Sequence, residues 1–176
     1  MNMAKLFWVI CLLLCACAPN VGYDKLGPVP RLLYVPESAT EAQIQYVETA
    51  TEAYNKLSGR MVFELRMASN MDTTGCVIRV SFHDDLGSAE VVDPETGEEH
   101  ELRRLGRFVT NKEQCWGRLQ ITNDALSDQT IIQHEMGHAI GLQHTGNPAD
   151  VMYSRRVGGQ SLQSYVRTWV EHLRGG

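Results

Sequence analysis

The sequence predicts a layered domain of sheet and helix, of the α/β (α+β) type. Two β-patterned runs flank an amphipathic helical stretch, and more β-rich runs follow before a second helical pattern. The order strand, helix, strand, strand is that of a sheet with helices packed on it. Of the 176 residues, 43% are hydrophobic and 21% charged. That balance supports a buried core and excludes disordered and collagen-like classes.

Each element has its own signal. Arg31–Val35 reads as a short strand. Ser38-Ala39-Thr40-Glu41 has the pattern of a capping box, in which the Ser hydroxyl and the Glu carboxylate each bond an orphan amide. Ile44, Val47, Ala50, Tyr54 and Leu57 then recur at steps of three and four, so the spacing predicts a helix over 39–57 that Gly59 can end. Met61, Phe63, Leu65 and Met67 alternate onto one face, which predicts a strand over 61–67. Cys76–Phe82 is another β-rich run. Residues 83–105 are polar and acidic and predict a long solvated loop. Short strands are expected at Arg107–Thr110 and Arg118–Thr122, joined by a turn holding Cys115 and Trp116. Ser127 can cap a helix that begins at Asp128, carries Ile131, Ile132, Met136, Ala139 and Ile140, and ends at Gly141. Leu162, Tyr165, Val166, Trp169, Val170 and Leu173 predict a C-terminal amphipathic helix.

The formal charge is −5, with 16 Lys and Arg against 21 Asp and Glu. No basic run stands out, which excludes nucleic acid as the expected partner. The five cysteines fall into two groups, Cys11, Cys15 and Cys17 near the start and Cys76 and Cys115 in the body. Lys5 precedes the apolar run Leu6–Leu14, too short to span a bilayer and suited to the core of a signal peptide. Leu14-Cys15-Ala16-Cys17 resembles a bacterial lipobox, which implies cleavage before Cys17 and lipid attachment to it. The expected organisation is a lipoprotein-type signal peptide over 1–16, a tether over 17–30 and one domain over 31–173. The expected location is outside the cytoplasm, lipid-anchored in a bacterial cell envelope, with plain secretion as the alternative. Cys76 and Cys115 are then an even pair in an oxidising compartment, able to form a disulfide or to remain as two buried thiols.

The informative segment is His134-Glu135-Met136-Gly137-His138-Ala139-Ile140-Gly141-Leu142-Gln143-His144. Histidines four apart share one face of a helix and can bind one ion. Glu135 can reach a water on that ion. Gly141 can take a positive φ and turn the chain back, so that His144 returns as a third nitrogen ligand. Three imidazoles with one open position describe a catalytic zinc site, whereas structural sites are closed by four ligands. The short H-E-x-x-H pattern arises by chance in roughly one in a few hundred chains of this size, and the added Gly and His lower that by a further factor of several hundred. Coincidence is therefore set aside.

These residues resemble the metzincin zinc endopeptidases, whose signature is H-E-x-x-H-x-x-G-x-x-H followed by a Met-turn. The continuation Thr145-Gly146-Asn147-Pro148-Ala149-Asp150-Val151-Met152-Tyr153 is similar to the matrixin branch. The contiguous match runs from His134 to Tyr153, and looser similarity covers about residues 28–173. The resemblance implies a five-stranded mixed twisted sheet, two helices packed on it and a C-terminal helix below the zinc site. It implies His134, His138 and His144 as ligands of one catalytic Zn2+ and Glu135 as general base and acid. Met152 would form the hydrophobic base under the zinc, and Tyr153 would wall the substrate pocket. The implied reaction is peptide-bond hydrolysis on a protein or peptide substrate, lying extended along the edge strand near Arg107–Thr110. The alternatives are a catalytically silent zinc-containing binding module of the same fold, and an exopeptidase. A monomer is expected.

The family fold also sets the third and fifth strands side by side and parallel, which implies a Cys76–Cys115 disulfide if the geometry is good. The usual animal pro-segment of the family, with its cysteine switch, is not expected here, because only a short tether is expected before the first strand. His83, Asp84 and His100 do not match the family's second, structural zinc site and are expected to be surface residues. Calcium is conceivable among the acidic residues, but their spacing matches no EF-hand loop.

Overall fold

The computed structural model describes residues 30–70, 77–92, 97, 99–111 and 116–153. The chain order is β1 (Arg31–Val35), α1 (Glu41–Ser58), β2 (Phe63–Met67), β3 (Val77–His83), β4 (Ser88–Val92), β5 (Glu99–Arg103), β6 (Gly106–Asn111), β7 (Trp116–Thr122) and α2 (Gln129–Ala139). Five strands form one mixed sheet in the order β2-β1-β3-β7-β6, as expected, and β4 and β5 form a separate two-stranded sheet. The leader, the tether up to residue 29 with Cys17, Cys76, Cys115 and the C-terminal helix over 162–173 lie outside the described residues.

The period of two along each strand sorts the sheet into two faces. Leu33, Val35, Phe63, Ile78, Val80, Leu119 and Ile121 point to one face, where Val47, Ala50 and Tyr54 of α1 and Ile132 and Met136 of α2 complete the core. Leu32, Tyr34 and Val77 make a smaller buried cluster on the other face. Two tyrosines of α1 fix α2 in place. Tyr46 donates its hydroxyl to the Asp128 carbonyl at 2.7 Å, and Tyr54 donates to the Gln133 carbonyl at 2.6 Å.

Several details differ from expectation, each for a local reason. The capping box is built on Thr40, which trades bonds with Gln43, because the helix starts at Glu41 and leaves Ser38 outside it. Gly59 ends α1 at φ 67°, a left-handed conformation that costs glycine nothing. Met61 lies before β2 and is 58% exposed, so it does not share the buried face of Phe63. Asp128, not Ser127, caps α2, its carboxylate accepting from the Thr130 amide, while Ser127 closes a short 3-10 turn (Asn123–Ser127). Trp116 belongs to β7 rather than to a turn.

The largest correction concerns residues 83–105. They are not a loop throughout: β4 and β5 pair antiparallel from Ser88↔Arg103 to Val92↔Glu99. Acidic composition concealed the alternation. Arg103 ties this hairpin to the turn before α2. Its guanidinium donates to Asp124 at 2.5 Å and to the Asp84 carbonyl at 2.7 Å, and Asn123 donates to Asp84 at 2.8 Å. The hairpin runs directly into β6, the edge of the main sheet, which lies beside α2.

Candidate metal centre

His134, Glu135 and His138 lie on α2, and His144 lies in the segment beyond it. The return of His144 is a matter of backbone. Gly141 takes φ 88°, its amide bonds the His138 carbonyl at 3.0 Å, and the Leu142 amide bonds the Gly137 carbonyl at 2.9 Å. This pair of bonds is a Schellman motif, which ends the helix and redirects the chain. Buried Leu142 anchors the turn from the core side.

The three Nε2 atoms converge. His134–His138, His134–His144 and His138–His144 are each separated by 3.1 Å. His134 Nδ1 lies 2.7 Å from the Val151 carbonyl and His138 Nδ1 lies 2.9 Å from the Leu142 carbonyl. A carbonyl oxygen only accepts, so each Nδ1 carries the proton, and in the neutral ring each Nε2 presents a bare lone pair. Lone pairs aimed at one point repel unless a cation stands there. A tetrahedral ion bound at about 2.0–2.1 Å puts its nitrogen ligands roughly 3.3 Å apart, close to the spacing found. The donor set fits zinc: three neutral imidazoles, each of the two on α2 oriented by a backbone carbonyl.

Charge around the trio has the same sense. Burial lowers the pKa of His134, His138 and His144, and that of His138 falls to about 4. Burial therefore favours the neutral, ligating form of all three rings. Burial pushes the Glu135 carboxyl up to about 7, opposed by a hydrogen bond from the Phe108 backbone amide.

That bond joins the carboxyl to the free edge of the sheet. In β6 the Leu105 carbonyl accepts from the Thr122 amide, and pairing continues as Arg107↔Gln120 and Val109↔Arg118. Antiparallel ladders alternate, so the amides and carbonyls of Gly106, Phe108 and Thr110 point away from β7. The Phe108 amide spends that freedom on Glu135. Gly106 makes the approach feasible. A Cβ there would stand 2.9 Å from Cγ and 3.2 Å from Oε1 of Glu135, and 3.0 Å from Cγ2 of Ile131. Gly106 was not singled out from sequence; the signal was a glycine opening a strand, which marks close approach by another group.

Met152 is fully buried and packs against Gly137, where a Cβ would collide with its sulfur and with the Tyr54 hydroxyl. The loop before it is closed by its own bonds. Thr145 donates its amide to the Met152 carbonyl at 3.0 Å, and Thr145 bridges Tyr153, which is half-buried. Asp150, also missed from sequence, is 4% exposed, and its carboxylate accepts from the Met152 amide at 2.8 Å. Only the fold revealed its burial.

His83 and Asp84 do not join the trio. His83 bonds Ser81 at 2.9 Å, and Asp84 is engaged by Asn123. His100 lies in β5.

Comparison with curated proteins gives no match. The family model for matrixins, which are zinc metallopeptidases, matches residues 34–162. That span covers most of the chain, from β1 through the three histidines and the methionine loop. The fold, the converging imidazoles and this match agree, and the chain belongs to the matrixin family.

Proposed function

We propose that the protein is an exported zinc endopeptidase that cuts extended peptide segments. One observation carries this reading: three imidazole Nε2 atoms converge at 3.1 Å, and the carboxyl of Glu135, next to His134 on α2, is bonded to an open strand edge. His134, His138 and His144 would hold the ion. A zinc ion so bound supplies Lewis acidity to a water and to a carbonyl oxygen. The chain does the rest. The outward groups of Gly106 and Thr110 and the outward carbonyl of Phe108 pair with the substrate backbone and hold it in line with the site. Glu135 takes a proton from the attacking water and delivers it to the departing amine nitrogen. A carboxyl with a raised pKa suits both halves of that task. Met152 forms the apolar floor under the ligands, and Tyr153 borders the pocket for the substrate side chain.

The test is Glu135→Gln, which keeps the size of the side chain and removes its basicity. The variant should bind zinc with unchanged stoichiometry and lose at least about 100-fold in kcat. Undiminished cleavage would refute the mechanism. If the wild-type protein, loaded with zinc, makes no chelator-sensitive cut in a peptide library, the silent binding module becomes the reading.

The proposal includes attachment to a membrane through lipid on Cys17, supported by the apolar run and the Leu14–Cys17 pattern. It also includes a Cys76–Cys115 disulfide. β3 and β7 pair parallel with Val77 opposite Trp116, so each cysteine immediately precedes one member of a paired couple. Intact mass after export should show lipid on Cys17 and the loss of two hydrogens from the body. Two free thiols there would sink the disulfide.

A further inference from the structure

Among the described residues, the face of the main sheet turned away from α1 and α2 gathers positive charge beside the free edge. Register places Arg79 of β3 directly opposite Arg118 of β7, and Arg118 opposite Val109 of β6. Arg107 lies on the same face, two residues before Val109. All three arginines are exposed. The other outer positions of these strands include Val77, Ser81, His83, Trp116 and Gln120, and no carboxylate occurs among them. The ion pairs found among the described residues include Arg66–Glu64 and those of Arg103, and Arg79, Arg107 and Arg118 are not among their members. Arg118 leans over the Trp116 ring, 5.5 Å from its centre, which orients the guanidinium but does not neutralise it. Like charges directly opposite across strands cost stability, and no carboxylate on these strands offsets that cost, within a chain of net charge −5.

The position of Arg107 gives the patch a use. Its own amide and carbonyl face β7, so on the free edge it stands between two outward-facing residues, Gly106 and Phe108. A peptide strand laid antiparallel along this edge meets Arg107 as a non-hydrogen-bonded neighbour, the arrangement in which opposing side chains are closest. That peptide residue points to the outer face, toward Arg107, with Arg118 one strand further in and diagonal to Arg107. Glu135 reaches the same stretch of strand, touching Gly106 and bonded to Phe108. The residue opposite Arg107 is therefore within about one position of the bond to be cut.

We propose that Arg107, backed by Arg118 and Arg79, selects substrates with an acidic side chain next to the scissile bond, on the side facing away from α2. This rests on the endopeptidase reading. An exposed ion pair supports a modest preference, about two- to fivefold per acidic residue, weakened by salt.

The test uses fluorogenic peptides alike except for Glu, Gln or Lys, placed in turn on either side of the cleaved bond. For the zinc-loaded wild-type protein, kcat/KM should fall in the order Glu, Gln, Lys at one of the two positions, and the spread should shrink in 0.5 M salt, where the Debye length is about 4 Å against about 30 Å at 0.01 M. Arg107→Glu should reverse the order, and Arg107→Gln should flatten it. Both variants should melt like the wild type, since the side chain is exposed. The metal-loaded Glu135→Gln variant should show the same order in peptide affinity, a readout free of turnover. Equal cleavage of all three peptides, or an order that survives Arg107→Glu, overturns the inference and leaves the protease reading intact. Cleavage of no peptide overturns the protease reading, and the inference with it.

Discussion

Replacing Gly106 with alanine inserts a methyl group into the contact between β6 and α2. The new carbon would stand 2.9 Å from Cγ of Glu135 and 3.0 Å from Cγ2 of Ile131, where carbon atoms normally settle at about 3.5–4.0 Å. Relief takes roughly 0.6–1 Å of movement. Ile131 is buried and belongs to the core, so it yields little. The Glu135 side chain has more freedom and should move, giving up its bond to the Phe108 amide. Overpacking of this kind costs about 1–3 kcal/mol in stability. Misplacing a reacting group by about 1 Å costs on the order of 100-fold in rate. The expected result is a fall in kcat of ten- to a hundredfold, with zinc stoichiometry unchanged and KM altered little. Gly117→Ala is the comparison, because a Cβ there would strike the Phe108 ring at 2.5 Å and leave Glu135 untouched. It should lower the melting temperature more than it lowers kcat. The coupling can also be read without catalysis: Gly106→Ala should cost less stability in a Glu135→Ala background than alone. A Gly106→Ala protein with kcat within twofold of wild type, or a strictly additive stability cycle, would refute the reasoning.

Two further outcomes follow from burial at the site. In the metal-free protein, Glu135 has a folded pKa of about 7, above its usual 4.5, so its protonated form is favoured by folding below pH 4.5 and its charged form is penalised above about 7. Glu135→Gln removes that penalty and should stabilise the metal-free protein at pH 8 by up to about 3 kcal/mol, with the difference fading by pH 4.5; urea midpoints at the two pH values check it, and a pH-independent difference counts against it. The histidines act in the opposite direction, since their lowered pKa values contribute stability above about pH 6.5 that is lost on acidification, for His138 through about pH 4. Asp150→Ala strands the buried Met152 amide and should cost about 1–3 kcal/mol. Because Val151, which orients His134, sits between these two residues, zinc affinity should fall as well, measured by competition with a chelating dye. Unchanged affinity would show that the loop holds its shape without the carboxylate.

What the sequence made legible was whatever is local. His134 and His138 share a helix face by spacing alone, and a glycine three residues before His144 is enough to bring the third ring back. Strands β1, β3 and β7 and both helices are also local patterns of period two or 3.6. The hairpin β4–β5 escaped because Glu90, Glu99 and Glu101 are poor strand formers, and its pairing is held partly by Arg103 reaching Asp124, a partner 21 residues away. Asp150 escaped for a related reason. A carboxylate in a polar loop reads as solvated, and only the closing of residues 145–153 against α2 buries it.

The division of labour within β6 explains why one short edge strand can govern so much. Alternation sends Gly106 and Phe108 toward α2 and Arg107 and Val109 to the opposite face, while the same period decides which amides face β7 and which face outward. Clearance for the base, its amide partner, the groups that pair with a peptide and the charge that reads it are thus fixed together by one register. A slip of a single residue would exchange all of them at once: Arg107 would meet Glu135, and the outward amides would turn inward. The register is held by Phe108 and Leu119 meeting on the core side and by the Phe108 ring lying over Gly117, where no side chain obstructs it. Activity should therefore respond more sharply to single-residue insertions in the β5–β6 or β6–β7 connections that carry into this pairing than to substitutions at most individual exposed positions of the strand.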